Sequence, residues 1–166
     1  MEKVGVFYGS TSGSTQKVAE KIGKELGEGV DLHNIREATI EMIASYSNLI
    51  FGTSAWGIGD MQDDWEDFID ELGQIDFSGK KIALFGLGDQ LEYPESFVDG
   101  LGTLYCRLPD KSVVVGGWPK KGYSYYFSLA EKDDQFVGLV IDDHQQPELT
   151  EKRISDWAKI LKKAFN

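Results

Sequence analysis

The most constraining feature of this sequence is an apolar run that leads through a hydroxyl-rich loop into a helix. Residues 3–8 (KVGVFY) have the apolar character of a buried strand, and residues 16–22 (QKVAEKI) begin an amphipathic helix. Between them, residues 9–15 (GSTSGST) supply two glycines and five hydroxyl side chains. Backbone N–H groups at a helix N-terminus have no partners within the helix, and the helix dipole adds positive charge there. The loop therefore predicts a phosphate site.

The residue types of this loop restrict the phosphate compound that it can bind. A nucleoside-triphosphate loop ends in Gly-Lys-Ser/Thr, but here Gly13 precedes Ser14 and Thr15, and residues 9–15 contain no Lys or Arg. The Gly-x-Gly-x-x-Gly pattern of dinucleotide sites is also absent. The loop therefore favours one phosphate monoester held by neutral donors. An ordinary serine-rich turn that caps the helix is the alternative.

Composition and charge restrict the class of protein. The length of 166 residues is typical of one domain, so we predict that residues 1–166 form a single domain. A formal charge of −11 argues against nucleic acid and anionic membranes as partners, because phosphate groups attract Lys and Arg. No apolar run reaches the roughly 18 residues of a membrane span.

The same composition predicts a cytoplasmic protein. Cys106 is the only cysteine, so no internal disulfide is possible and a reducing compartment is expected. Its helical-looking surroundings predict a packing role. The first strand begins at Lys3, which leaves no room for a signal peptide before it. With two histidines and one cysteine, we expect no transition-metal site.

Short apolar runs alternate with helical patterns along the chain. We predict five core strands at 3–8, 30–34, 49–53, 82–85 and 113–115, a further stretch of strand at 136–141, and helices at 14–27, 37–44, 63–72, 95–108 and 150–165. In the last helix, Thr150 is expected to cap the N-terminus and Ile160 to face the core. This alternation is typical of an α/β fold, an open doubly wound parallel sheet of five strands with helices on both faces. Ligands of such sheets bind outside the carboxyl ends of the strands. We therefore expect three loops to share one rim: 9–15, 54–61 and 86–94.

The two later loops each carry an aromatic residue, Trp56 and Tyr93. A large aromatic side chain at a loop tip exposes apolar surface unless it contacts something. Two aromatic rings that flank one crevice can hold a flat ring system between them. Each residue taken alone favours a packing or docking role. Together with the phosphate loop, they predict a planar cofactor that carries a phosphate.

These motifs together resemble the flavodoxin family in its long-chain branch, over essentially the whole chain. The family's phosphate loop corresponds to residues 10–15, its tryptophan loop to 53–57 and its tyrosine loop to 88–93. Residues 118–137 resemble the insertion that splits the last strand in the long-chain branch. The resemblance implies the strand order 2-1-3-4-5, with the last strand interrupted.

The resemblance also implies a function. It implies non-covalently bound FMN and a low-potential one-electron carrier, not an enzyme, that cycles mainly between semiquinone and hydroquinone and shuttles electrons between redox enzymes. The partners would be redox proteins with basic docking faces, such as ferredoxin–NADP reductase or 2-oxoacid oxidoreductases, and a monomer is expected. They would dock on an acidic rim around the crevice, formed by Asp60, Asp63, Asp64, Glu66, Asp67, Asp89, Glu92 and Glu95.

The family's cofactor contacts carry over to particular residues of this chain. Trp56 and Tyr93 would sandwich the isoalloxazine, Asp89 would meet its pyrimidine edge, and the Gly57–Ile58 peptide would flip with the first electron. Ala55 and His144 depart from the family pattern, which leaves the ribityl contacts open. The full set of implied cofactor-binding residues is Ser10, Thr11, Ser12, Gly13, Ser14, Thr15, Thr53, Ser54, Ala55, Trp56, Gly57, Ile58, Gly88, Asp89 and Tyr93.

Other functions compete with this interpretation. A flavodoxin-like NAD(P)H-dependent quinone or nitro reductase would need a nicotinamide pocket over one flavin face, whereas Trp56 and Tyr93 are expected to cover both. A signalling receiver domain would need paired acidic residues after the first strand, where Tyr8, Gly9 and Ser10 stand. An interaction module without flavin is the third alternative.

Overall fold

The computed structural model describes residues 1–56 and 60–166, with only the backbone described at positions 55, 56 and 60. The β-strands are Val4–Tyr8 (β1), Val30–Asn34 (β2), Asn48–Trp56 (β3), Asp60–Met61 (β4), Lys81–Leu87 (β5), Val114–Val115 (β6), Trp118–Pro119 (β7), Glu131–Lys132 (β8), Gln135–Phe136 (β9) and Leu139–Ile141 (β10). The α-helices are Ser14–Leu26 (α1), Ile40–Ala44 (α2), Asp63–Phe68 (α3), Asp99–Arg107 (α4) and Thr150–Ala164 (α5). Short 3₁₀ helices span Ile35–Glu37, Ile69–Gln74, Lys111–Val113 and Pro147–Leu149.

The central sheet is parallel, with the strands in the order β2, β1, β3, β5 and then β6 and β10 along the same edge of β5. Residues Val114 and Val115 of β6 pair with the first half of β5, and Leu139 to Ile141 of β10 pair with its second half. The predicted order 2-1-3-4-5, with the last strand interrupted, is therefore confirmed.

The central strands have apolar sequences because helices cover the sheet. Phe7, Phe51 and Leu84, on β1, β3 and β5, are fully buried. Helices α1 and α5 contact each other, and Trp157 of α5 donates from Nε1 to the carbonyl of Gly116 at 2.8 Å. None of the helices given above combines the length and the apolar character that a membrane-spanning helix needs.

The predicted helix at 95–108 begins only at Asp99. Val98 has φ of +47°, in the left-handed region, so the helix cannot extend back through it. The preceding residue is held by a distant segment, because the Phe97 N–H donates to the Phe127 carbonyl at 3.2 Å. A tertiary contact therefore overrides the local helical pattern.

The predicted loop at 54–61 is partly a strand. Strand β3 continues to Trp56, and Ala55 and Trp56 pair antiparallel with Met61 and Asp60. Residues 57–59, which include the predicted flipping peptide, lie outside the described residues. This part of the rim therefore includes a pair of antiparallel strands.

Three further predictions about side chains are wrong. Thr150 is the first residue of α5 and not its cap, because the preceding 3₁₀ helix places Leu149 at the N-cap position. The Thr150 hydroxyl donates instead to the Asp143 carboxylate. Ile160 of α5, expected to face the core, is exposed. Cys106, expected to pack, is an exposed thiol.

The segment between β6 and β10 forms its own small antiparallel sheet, in the order β7, β9, β8. Its centre is the fully buried ring of Phe136, and the rings of Phe97, Tyr123 and Tyr125 lie 5.2–6.1 Å from it. Burial raises the pKa of Tyr123 to about 12, so its hydroxyl stays protonated and donates to the Val140 carbonyl at 2.5 Å. The aromatic run of the sequence is therefore a packed cluster.

Candidate functional site

A cleft of about 220 Å³ lies at the carboxyl edge of the central sheet. Its walls come from the first turn of α1, the end of β3, the end of β5 with the loop that follows, and the loop after β10. The residues that line it are Ser14, Ser54, Leu87, Gly88, Asp89, Glu92, Tyr93, Asp143 and His144. The three loops predicted to share one rim each contribute to this lining.

The first wall is the loop between β1 and α1. Gly13 has φ of +90° and occupies the N-cap position of α1, a conformation that favours glycine. The Ser10 hydroxyl oxygen accepts from the N–H groups of Gly13 at 3.0 Å and Gln16 at 3.4 Å. The Ser10 side chain therefore holds the loop over the N-terminus of α1, which is a favourable place for an anion.

The hydroxyl groups of this loop take different positions. Ser14 lines the cleft, and its Oγ accepts from the exposed Ser12 hydroxyl at 3.3 Å. Thr11 is exposed, and its Oγ1 accepts from the Gln62 side chain at 3.2 Å. Thr15 is buried in α1. The loop thus presents some hydroxyls to solvent and uses others for packing.

The second wall is the end of β3. Thr53 is fully buried and donates to the Ser54 carbonyl at 3.3 Å. Ser54 is only 6% exposed, and among the described atoms its Oγ has no hydrogen-bond partner. A buried hydroxyl without a partner costs about 1–3 kcal/mol. Ser54 therefore marks a point where a polar ligand group fits.

The structure describes less of the predicted site residues that follow Ser54. The backbones of Ala55 and Trp56 belong to β3, but their side chains lie outside what the structure describes. Gly57 and Ile58 lie outside it altogether. Stacking by Trp56 and the flip of the 57–58 peptide stay predictions.

The third wall is the loop after β5. Asp89 holds this loop in shape, because its Oδ1 accepts from the N–H groups of Leu91 and Glu92 and from the side chain of Gln145, each at 3.0–3.1 Å. Burial raises the pKa of Asp89, but these hydrogen bonds outweigh it and bring the pKa below its ordinary value. Asp89 is therefore ionised at neutral pH. Tyr93, half-buried, closes the turn by donating its N–H to the Asp89 carbonyl at 2.9 Å.

Asp142 connects the third wall to the loop after β10, which forms the fourth wall. The sequence analysis did not identify this residue. It is fully buried, and its Oδ2 accepts from the backbone N–H of Gln90 at 2.9 Å and the side chain of Gln90 at 2.8 Å. Its Oδ1 accepts from the N–H groups of His144 and Gln145 at 3.0–3.1 Å. The signal available in the sequence was an aspartate directly after an apolar strand, at the ligand edge of the sheet.

The fourth wall is the exposed pair Asp143 and His144. The hydroxyl of Thr150 donates to Asp143, so the first turn of α5 anchors this loop. His144, whose contact with the cofactor the sequence left open, does line the cleft. Gln90 connects the third wall to the segment between β7 and β8, because its Oε1 accepts from the Ser124 N–H at 2.6 Å.

The third and fourth walls of the cleft are acidic. The part of a ligand that lies against them is therefore expected to be neutral. The lining includes Asp89, Glu92 and Asp143 and no Lys or Arg among its described residues. Negative charge that develops on a ligand there is repelled by these carboxylates. The helix N-terminus at Ser14 is the electropositive end of the cleft.

Comparisons with known proteins point to one family. The sequence model of the family described as Flavodoxin matches residues 6–157. The flavodoxin of Synechocystis sp. is 44% identical over 165 residues, which are 98% of this chain and 97% of that protein. Flavodoxin 1 of Escherichia coli is 45% identical over 163 residues, which are 96% of this chain and 92% of that protein. The crystal structure of Fusobacterium nucleatum flavodoxin bound to flavin mononucleotide superimposes with a TM-score of 0.94 at 33% identity and covers 100% of both chains.

Proposed function

The chain belongs to the flavodoxin family, and we propose that it binds one FMN without a covalent bond and carries single electrons at low potential between redox enzymes. One observation carries this proposal. A single cleft joins the N-terminus of α1, which suits a phosphate group, to the loop of Tyr93, which suits a flat ring. The Fusobacterium relative, similar over its whole length, is bound to flavin mononucleotide.

The residues present fit FMN at each part of the molecule. We assign the phosphate to the N–H and hydroxyl groups of residues 10–15 and the ring to Trp56 and Tyr93. The Ser54 hydroxyl, which has no hydrogen-bond partner among the described atoms, provides a polar contact between these two ends. Bound FMN supplies the one-electron chemistry, and the protein supplies orientation and electrostatics. The remaining cofactor contacts that we propose are Thr53, Ala55, Gly57, Ile58, Gly88 and Asp89.

The acidic lining supports the low potential. A carboxylate about 12 Å from a new negative charge, at an effective dielectric constant of about 40, repels it by roughly 0.7 kcal/mol. For a single electron this corresponds to about 30 mV, since about 59 mV is a tenfold change in an equilibrium constant. Asp89, Glu92 and Asp143 all line the cleft, so their contributions add.

The test is stepwise anaerobic reduction of the FMN-loaded protein while its visible spectrum is recorded. We expect a yellow protein that turns blue before it bleaches, because a one-electron carrier takes up its two electrons in separate steps. Bleaching in one two-electron step would contradict the carrier. A colourless protein that takes up no added FMN would contradict the cofactor as well. Steady consumption of NADPH by the pure protein would instead favour the quinone or nitro reductase.

We further propose that partners with basic faces dock on exposed carboxylates near the cleft. The side chains of Asp63, Glu66, Asp67, Glu92 and Glu95 are all exposed, and the formal charge is −11. The rate of reduction by ferredoxin–NADP reductase should fall by about tenfold or more as the salt concentration rises from about 10 mM to about 500 mM. Reduction by a neutral photoreductant is the control and should not change. A reductase rate that is independent of salt would exclude docking through charge.

The molecule's organisation completes the proposal. We propose a single domain over residues 1–166 that works as a monomer in the cytoplasm, with residues 118–137 as the long-chain insertion. Trp118, Ala130 and Phe136 of this segment belong to the same apolar cluster as the central sheet, which supports one domain. The exposed thiol of Cys106 suits a reducing compartment.

A further inference from the structure

We propose that Gln62 is a positioning residue for the FMN phosphate, acting through Thr11. The proposal rests on the proposed function, since it concerns the same cofactor. Gln62 lies between β4 and α3, outside the lining of the cleft, and is only 2% exposed. Its side chain reaches the loop of residues 9–15, which lies about fifty positions earlier in the chain.

Every polar atom of the Gln62 side chain has a partner. Oε1 accepts from the Trp65 N–H at 3.2 Å, which caps α3. Nε2 donates to Thr11 Oγ1 at 3.2 Å and to Asp64 Oδ2 at 3.1 Å. Capping α3 requires only the oxygen, and serine or aspartate does it equally well. The bond from the amide nitrogen to Asp64 is also local to α3, so the bond to Thr11 is the one contact of this side chain that a local helical role leaves unexplained.

The hydrogen bond to Thr11 determines what the Thr11 hydroxyl can do. A hydroxyl has one hydrogen to donate and two lone pairs that accept. Because Nε2 of Gln62 already donates to Oγ1, the Thr11 hydrogen points away from Gln62 and is available to an anion. Thr11 is exposed, so without this contact its side chain would rotate among several states. Because the Thr11 side chain is already fixed before the ligand binds, less conformational entropy is lost on binding.

Gln62 also packs directly against the backbone of the 9–15 loop. A Cβ atom at Gly9 would lie 2.1 Å from Gln62 Oε1 and 2.6 Å from Trp65 Cδ1, so only glycine allows this close approach. Trp65 is fixed in turn, because its Nε1 donates to the Gly52 carbonyl at 2.7 Å, and that same carbonyl accepts from the Gly9 N–H at 3.0 Å. Gln62 and Trp65 therefore hold the loop against the rigid central sheet.

The test compares FMN with riboflavin, which has the same ring and ribityl chain but no phosphate. The variant Gln62→Met keeps the length and bulk of the side chain and loses both hydrogen-bond functions of the amide. We expect its Kd for FMN to rise about tenfold, as for the loss of one hydrogen bond to the bound ligand. Its Kd for riboflavin should change by less than about twofold. Equal weakening for both ligands, or an unchanged Kd for FMN, would overturn the proposal.

Two further variants separate positioning from folding. Gln62→Ser keeps an oxygen that can cap α3 and is too short to donate to Thr11, so it should fold and still bind FMN about tenfold more weakly relative to riboflavin. Thr11→Val should show the same relative weakening, and adding Gln62→Met to it should cost nothing more, because both act on one contact. Additive losses in this pair would also overturn the proposal.

The control is Gln74→Met, at an exposed glutamine of the 3₁₀ helix Ile69–Gln74, which should keep both affinities. The outcomes for the two proposals are distinct. A wild-type chain that binds no FMN contradicts the proposed function, and the role of Gln62 falls with it. A wild-type chain that binds FMN, with variants that keep the full preference over riboflavin, contradicts only the role of Gln62.

Discussion

Replacing Asp142 with alanine is expected to lower the free energy of unfolding of the flavin-free protein by about 3–5 kcal/mol. The carboxylate is fully buried and accepts four hydrogen bonds, two from Gln90 and one each from the N–H groups of His144 and Gln145. Alanine leaves these four donors without a partner and opens a small cavity. Urea unfolding followed by circular dichroism measures the loss.

The same substitution should weaken FMN binding by more than about a hundredfold, which corresponds to about 2.7 kcal/mol. Asp142 connects the loop that carries Asp89 and Tyr93 to the loop that carries His144, and both loops line the cleft. Once they separate, the ring site is no longer preformed, and binding must then restore it. Flavin fluorescence quenching gives the affinity.

Two further variants test this prediction, one with an intermediate expected effect and one as a control. Asp142→Asn keeps one accepting oxygen and should have an intermediate effect, which also provides a measurement if the alanine variant does not fold. Asp67→Ala removes an exposed carboxylate on α3 and should change stability by no more than about 0.5 kcal/mol. An Asp142→Ala protein with wild-type stability and affinity would show that the two loops keep their positions without this carboxylate.

Replacing Gly138 with alanine is expected to cost at least about 3 kcal/mol, at the upper end for overpacking of a core. A Cβ atom at Gly138 would lie 2.0 Å from the carbonyl oxygen of Leu84 and 2.6 Å from its carbonyl carbon. These are backbone atoms of β5 in the middle of the sheet, so they cannot move aside as a side-chain tip can. Gly138 would have to move instead, together with Leu139, which pairs with Phe85.

Gly73→Ala is the matched control for this substitution. A Cβ atom at Gly73 would meet nothing within 4 Å, and its φ is not in the left-handed region. Alanine there should be neutral or stabilising by up to about 1 kcal/mol, because it restricts the unfolded chain. Thermal unfolding of the two variants side by side is the measurement. Equal stabilities would mean that β10 can shift along β5 at little cost.

The sequence determined the parts of the protein in which local pattern and burial agree. The apolar runs of β1, β3 and β5 predict buried parallel strands, because only residues covered on both faces are apolar without alternation. The loop of residues 9–15 was predicted as an anion site for a similar reason. A helix N-terminus presents its unpaired N–H groups whatever the rest of the chain does. The position of the ligand at the carboxyl edge follows from the parallel sheet itself.

The tertiary structure decided the contacts between residues that lie far apart in the chain. Val98 leaves the helical conformation because Phe97 is hydrogen-bonded to Phe127, and no pattern within residues 95–108 contains that contact. Thr150 has the sequence of a helix cap, yet its hydroxyl donates to Asp143. Whether a polar side chain caps its own helix or crosses to another loop depends on which partner the fold brings within about 3 Å.

The site shows the same division between local and long-range information. The places of the 9–15 loop, the Tyr93 loop and the cleft itself at the carboxyl edge of the sheet could be predicted, because each depends on a short run of residues. The supporting roles of Asp142 and Gln62 could not be predicted, because each role depends on hydrogen bonds to a residue far away in the sequence. Asp142 bridges two loops about fifty residues apart, and Gln62 reaches back a similar distance to Thr11. Side chains that hold a site in shape are identified by their partners, and only the folded chain brings those partners together.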